Sequence, residues 1–264
     1  MIRTDRLLRQ SVFYTATNKK ISIIVSKKEL CYSYLMKITI IHGQSHKGST
    51  YHIARQLAEK LNGDITEFFL PRDFGEFCVG CANCFMKSET KCPHYQKLQP
   101  LTEAMDTADV LIFESPVYVY HSTGAMKSFL DHYGYRWMVH RPDERMFKKQ
   151  AVCISTAAGA GMKSTNKDME DSLYFWGVAK IYKYGIGVGA ISWDDVTDNK
   201  KKAIDKATTS LANKIARRNG RVKPGLKTKS FFFLMHFLQR KGINPNDQAY
   251  WKAKGWTGSA RPWK

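Results

Sequence analysis

Three short segments and one cysteine cluster hold the side chains best placed to do chemistry. The first segment, Gly43-Gln44-Ser45-His46-Lys47-Gly48-Ser49-Thr50, joins an apolar, β-branched run to a helical pattern. Glycines and hydroxyls at a helix start suit an anion. Backbone N–H groups and the positive end of the helix dipole face it, and Ser45, Ser49 and Thr50 add hydroxyl donors. A nucleoside-triphosphate loop, GxxxxGK[ST], needs lysine where Ser49 stands, and Lys47 lies inside the loop instead. A dinucleotide fingerprint needs a second glycine where Ser45 stands. What remains is a loop for a terminal monophosphate, beside the plainer alternative of a polar strand-to-helix turn.

The second segment, Glu114-Ser115-Pro116-Val117-Tyr118-Val119-Tyr120, sets a rigid proline and two aromatics just past an apolar run. A planar ring fits against such residues, although tyrosines at a strand end also serve as packing. The third, Ser155-Thr156-Ala157-Ala158-Gly159-Ala160-Gly161, is small and glycine-rich, so a flat ligand can approach its backbone closely. The cysteines Cys78, Cys81, Cys84 and Cys92 follow C-x2-C-x2-C-x7-C. Four thiols crowded in this way point to metal or redox chemistry, with unliganded thiols as the alternative.

These loops need strands and helices to position them, and the pattern supplies both. Lys37 to His42 reads as a buried parallel strand, and Ile53, Leu57 and Leu61 recur at helical spacing until Gly63. Ile65 to Leu70, Val110 to Phe113, Ala151 to Ser155 and Ala179 to Tyr184 read as further strands. Met126, Phe129, Leu130 and Tyr133 mark one more helix, and Ile204, Ala207, Leu211 and Ile215 a last amphipathic one. Such alternation predicts an α/β domain with a five-stranded parallel sheet over residues 36–218. Ligands of such sheets bind at the carboxyl ends of the strands, where all three loops lie.

Residues 1–35 read as an N-terminal extension, with Ile21 to Val25 its one strand-like piece and Met36 a natural start. The stretch Arg217 to Lys229 reads as a linker, Phe231 to Leu238 as a short helix, and residues 219–264 as a basic, aromatic C-terminal extension. The net charge of +19 sits at the ends: residues 1–35, 36–199 and 200–264 carry net +5, −1 and +15. No apolar run approaches the roughly 20 residues of a membrane-spanning helix. No secretory signal is apparent, so a cytoplasmic location is expected.

Together the three loops resemble those of the NADPH-dependent FMN reductase and iron-sulfur flavoprotein group of the flavodoxin-like superfamily. The first loop is similar to that group's GSPRxxGNT, with departures at Gln44 and His46, and Pro116-Val117-Tyr118 with Lys127 and Asp131 is similar to its PVY and K-x-x-x-D. The resemblance implies a three-layer sandwich in which Gly43, Gln44, Ser45, Lys47, Gly48, Ser49 and Thr50 hold the FMN phosphate. It places Pro116, Val117, Tyr118, Val119 and Tyr120, and Thr156, Ala157, Gly159 and Gly161, along the isoalloxazine. Lys127 and Asp131 are read as a helix-surface pair one turn apart. The cysteine spacing resembles the motif that holds a [4Fe–4S] cluster at Cys78, Cys81, Cys84 and Cys92, but flavin reductases without a cluster carry a similar C-x-G-C-x-x-C with a glycine at the place of Gly80.

The expected activity is therefore oxidoreduction, NAD(P)H giving electrons through bound flavin to an acceptor that the sequence does not name; no catalytic residue is assigned. The family implies a homodimer. Trp251 and Trp256 are read as packing on the parent domain. The rival readings are an iron-sulfur flavoprotein, a flavodoxin-type electron carrier, a flavin-free scaffold, and a nucleic-acid-binding protein that would use the basic tail.

Overall fold

The computed structural model describes residues 35–242 and 244–264. The expected strand-like piece Ile21 to Val25 lies outside the described residues. Five strands form one sheet: β1 (Lys37–His42), β2 (Asp64–Phe69), β3 (Val110–Pro116), β4 (Gln150–Ala157) and β5 (Lys180–Gly187). Their order is β2-β1-β3-β4-β5 and every pairing is parallel. This is the doubly wound, flavodoxin-like order, in which the winding reverses between β1 and β3.

The helices are α1 (Ser49–Leu61), α2 (Asn83–Met86), α3 (Tyr95–Thr107), α4 (Gly124–Asp131), α5 (Met162–Phe175), α6 (Asp198–Ala216), α7 (Leu226–Lys241) and α8 (Pro245–Ala253). The period-2 alternation of the strands splits the core into two faces. Ile38, Ile40, Val110, Ile112, Val152 and Ile154 face α1 and α6, where they meet Ile53, Leu57, Ile204 and Leu211. Ile41, Leu111, Phe113, Ala151 and Cys153 face the other way, against Leu101, Met126, Phe129, Met169 and Trp176. Both faces of the central strands are covered, which is why they read as near-continuous apolar runs.

Among the described residues, α2, α3, α5 and α8 are absent from the sequence reading. The pattern of α3 is interrupted by Pro100, and α5 carries a mixed, polar sequence whose buried face includes Thr165, Asn166 and Ser172. The C-terminal part differs further from expectation. Leu226 already begins α7, inside the stretch read as linker, because only Pro224-Gly225 breaks the chain there. Phe232, Met235, Trp251 and Trp256 then pack with Met138 and Phe147 into a third buried cluster. Residues 36–264 thus form a single compact unit, with both tryptophans packed as expected.

Candidate functional site

The parallel register sets the ends of β1, β3 and β4 side by side, so the three loops converge. Gly43 N–H donates to the Glu114 carbonyl at 2.7 Å. A Cβ on Gly43 would stand 2.8 Å from that oxygen, so the position admits glycine alone without displacing backbone. The Tyr118 hydroxyl donates to Gln44 Oε1 at 2.8 Å, joining loops one and two. Val117 N–H donates to the Thr156 carbonyl at 2.9 Å, and Thr50 Oγ1 lies 3.0 Å from Thr156 Oγ1, which ties in loop three.

Helix α1 opens at Gly48 with no side-chain cap and no acid in its first turn. The N–H groups of Ser49, Thr50 and Tyr51 are therefore left to an external acceptor. Of the three hydroxyls expected to hold an anion, Ser45 Oγ donates instead to the Leu70 carbonyl and Thr50 is taken by Thr156. Ser49 Oγ is buried and has no partner among the described residues. Lys47 reaches back over the Tyr51 ring, 5.2 Å from its centroid.

Loop two ends in a tight hairpin. Tyr118 and His121 exchange both backbone hydrogen bonds, at 2.9 and 3.0 Å, across Val119 and Tyr120. These two have φ of 48° and 66°, the left-handed pair of a type I′ turn, where asparagine and glycine are the usual residues. A β-branched valine in that region is strained, and Val119 is 93% exposed. The turn is held from beneath by Asp168, which accepts from Ser122 N–H at 2.9 Å and lies 3.1 Å from His121 Nδ1. At Gly161, with φ 98°, a Cβ would sit 2.5 Å from Val117 Cγ1. The bare backbone there lets loops two and three pack directly on each other, while Gly159 has nothing within 4 Å of where its Cβ would stand.

Beneath the first loop lies a charged network that sequence reasoning missed. His42 is fully buried, its Nδ1 2.8 Å from Glu114 Oε1 and its Nε2 3.0 Å from Glu67 Oε1. Arg55 donates to the other oxygen of Glu67 at 3.0 Å. Burial pushes the Glu114 carboxyl above its ordinary range, opposed in part by the hydrogen bond from His42. Glu114 Oε2 has no partner among the described residues. A charged residue closing each of two apolar runs was the one available signal.

The cysteine segment lies between β2 and α3. Cys78 and Cys81 are exposed, Cys84 and Cys92 half-buried, and all four are free thiols. Burial raises the Cys84 thiol above its usual range, and the other three cysteines add to the rise. Cys92 is raised for the same first reason, with Cys81 and Cys78 contributing. Cys92, His94 and His132 also bring their ligand atoms within 4.8 Å of one another. The C-terminal region fixes this segment: Arg141 donates to the Cys84 carbonyl and, at 2.5 Å, to the buried Asp247, which also binds His140 at 2.7 Å. Asn246 donates to the Met86 carbonyl at 2.5 Å. Lys127 and Asp131 form the expected i,i+4 pair on the surface of α4.

Residues 36–190 match the family described as NADPH-dependent FMN reductase. The chain is 31% identical over 144 residues to an iron-sulfur flavoprotein of Archaeoglobus fulgidus, an alignment covering 53% of this chain and 59% of that one. It is 30% identical over 133 residues to an iron-sulfur flavoprotein of Clostridioides difficile, covering 47% and 56%. The chain therefore spans under two thirds of the length of these curated relatives. Among solved structures, an NADH:FMN oxidoreductase in its apo form superposes with a TM-score of 0.49 at 16% identity, covering 75% of this chain and 98% of that one.

Proposed function

Since the chain belongs to the NADPH-dependent FMN reductase family, we propose that it binds FMN on the three converging loops and acts as an NAD(P)H-dependent FMN oxidoreductase. The observation that carries this reading is the uncapped start of α1 with the buried, unpartnered Ser49 hydroxyl beside it. These donors suit a phosphate, and the open backbone at Gly159 suits a flat ring.

In the proposed complex Ser49 Oγ and the N–H groups of Ser49, Thr50 and Tyr51 hold the phosphate, and Lys47 adds positive charge near it. The Gln44–Tyr118 and Thr50–Thr156 hydrogen bonds fix the loops against each other, so little ordering remains to be done on binding. Pro116, Val117, Tyr118, Val119 and Tyr120 bear on one part of the ring, and Thr156, Ala157, Gly159 and Gly161 on another. When bound, FMN would supply the redox chemistry between NAD(P)H and an electron acceptor. No side chain is required as a general base.

A second reading is favoured by the C-x2-C-x2-C-x7-C spacing and by the names of the relatives, both iron-sulfur flavoproteins. Cys78, Cys81, Cys84 and Cys92 would hold a [4Fe–4S] cluster, whose role is single-electron transfer. The proposed setting is a reducing cytoplasm, in keeping with free thiols, and the proposed assembly a homodimer. Residues 36–218 are proposed as the FMN-binding part, with residues 1–35 and 219–264 as extensions to it.

The anaerobic visible spectrum of the purified chain, reconstituted with FMN and then given NADPH, tests both readings. A bound two-banded flavin spectrum that bleaches with NADPH is expected. A chain that retains no FMN overturns the first reading. Absence of iron and acid-labile sulfide after anaerobic reconstitution overturns the second.

A further inference from the structure

Helix α7 packs one face inward and leaves an apolar face outward. Phe232, Met235, His236 and Gln239 are buried against the unit. Leu226, Phe233, Leu234 and Phe237 are 82%, 47%, 53% and 51% exposed. At about 100° per residue these four fall on one side of the helix, opposite the packed side. A helix apolar on both sides calls for a second apolar surface beyond the fold that covers its first.

The charge around this stripe is of one sign. Residues 217–264 hold twelve Lys and Arg and a single acid, Asp247, which is buried and bound by His140 and Arg141. Among the described residues the carboxylates of neighbouring elements are already paired: Glu144 with Lys254, Glu170 with Lys183, and Asp171 with Lys167. At the start of α7 a cavity of about 420 Å³ is lined by Arg218, Arg221, Lys223 and Lys227, with Glu170 and Asp171 on its wall.

We infer that the outer face of α7 docks on an anionic lipid bilayer, with Leu226, Phe233, Leu234 and Phe237 entering the interface and the surrounding Lys and Arg meeting the headgroups. Charge selects this occupant. A second copy of the chain would set the same cationic field against itself, and a neutral apolar partner would leave that field unmatched. An anionic bilayer is complementary to stripe and field together. The attachment is peripheral, since none of the described helices is long and apolar enough to cross a membrane.

The test is co-sedimentation of the full chain with vesicles of phosphatidylcholine alone and of phosphatidylcholine and phosphatidylglycerol in equal parts. The expected result is binding at least about tenfold tighter to the mixed vesicles, weakened by added salt. Combining Phe233→Ser, Leu234→Ser and Phe237→Ser should cut that binding by about tenfold while circular dichroism stays unchanged, because the three side chains face outward. Equal or negligible binding to the two vesicles overturns the inference. So does unchanged binding of the triple variant, which would leave charge alone at work. Conversion of an oligomer into a monomer by the triple variant would assign the stripe to a subunit interface. Preferential binding of a DNA duplex over the mixed vesicles would assign the field to nucleic acid.

Discussion

Ser49 at the start of α1 and Glu114 on β3 each leave one buried oxygen without a partner among the described residues. For Ser49 the proposed partner is the FMN phosphate: a hydroxyl bonded to a charged phosphate contributes about 1.5–3 kcal/mol. Ser49→Ala is accordingly expected to weaken FMN binding by about tenfold or more, read from the dissociation constant by flavin fluorescence quenching, with thermal stability little changed. For Glu114, burial favours the protonated carboxyl over the charged one. Its carboxyl faces His42 of β1, His46 of the loop and Thr50 of α1, and burial holds it above the ordinary 4.5. A carboxyl raised in the folded state contributes stability that is fully present below its unfolded value and is lost as pH rises through its folded value. Glu114→Gln keeps the shape and removes the titration. The stability of the variant relative to the parent should therefore rise as pH increases above the ordinary 4.5, measured by urea unfolding across a pH series. A difference independent of pH would mean that Glu114 stays ionised throughout.

The hairpin at Val119-Tyr120 shows how an element can favour a site over its own stability. Two non-glycine residues at positive φ make a turn that its sequence does not favour, on an arm held by Asp168. Replacing the pair by Asn-Gly, through Val119→Asn and Tyr120→Gly, should raise the unfolding free energy by about 1–2 kcal/mol. The same change should lower FMN affinity, since it removes side chains proposed to bear on the ring. Calorimetry and a flavin titration on one preparation check the two halves of this prediction separately. The sheet beneath was legible from its apolar runs, because strands covered on both faces leave few polar interruptions. Helices α3 and α5 were not, because Pro100 masks one, and in the other the buried Met169 and Leu173 are interleaved with buried Thr165, Asn166 and Ser172.

Across the whole molecule, the C-terminal helices act as a brace for the cysteine segment. Asp247 on α8 holds Arg141, and Arg141 in turn holds the carbonyl of Cys84. Removing one member of a buried ion pair leaves the other charge uncompensated. Asp247→Ala should cost about 3 kcal/mol of stability and speed amide exchange across residues 82–92, measured by hydrogen exchange with mass spectrometry. Faster labelling of Cys84 by a thiol reagent is expected with it.

The sequence by itself determined what is contiguous: the strands, the phosphate-type loop from Gly43 to Thr50, the segment from Pro116 to Tyr120 and the spacing of the four cysteines. Each is a local pattern of burial, glycine or hydroxyl placement that a short window displays. The tertiary structure alone decided which side chains meet: His42 with Glu114 and Glu67, Cys92 with His94 and His132, Gln44 with Tyr118, and Asp247 with Arg141. Apart from Cys92 and His94, two positions apart, these pairs join residues far apart in the chain. They are set by sheet register and helix packing, and a contact fixed by register leaves no periodic trace in the sequence.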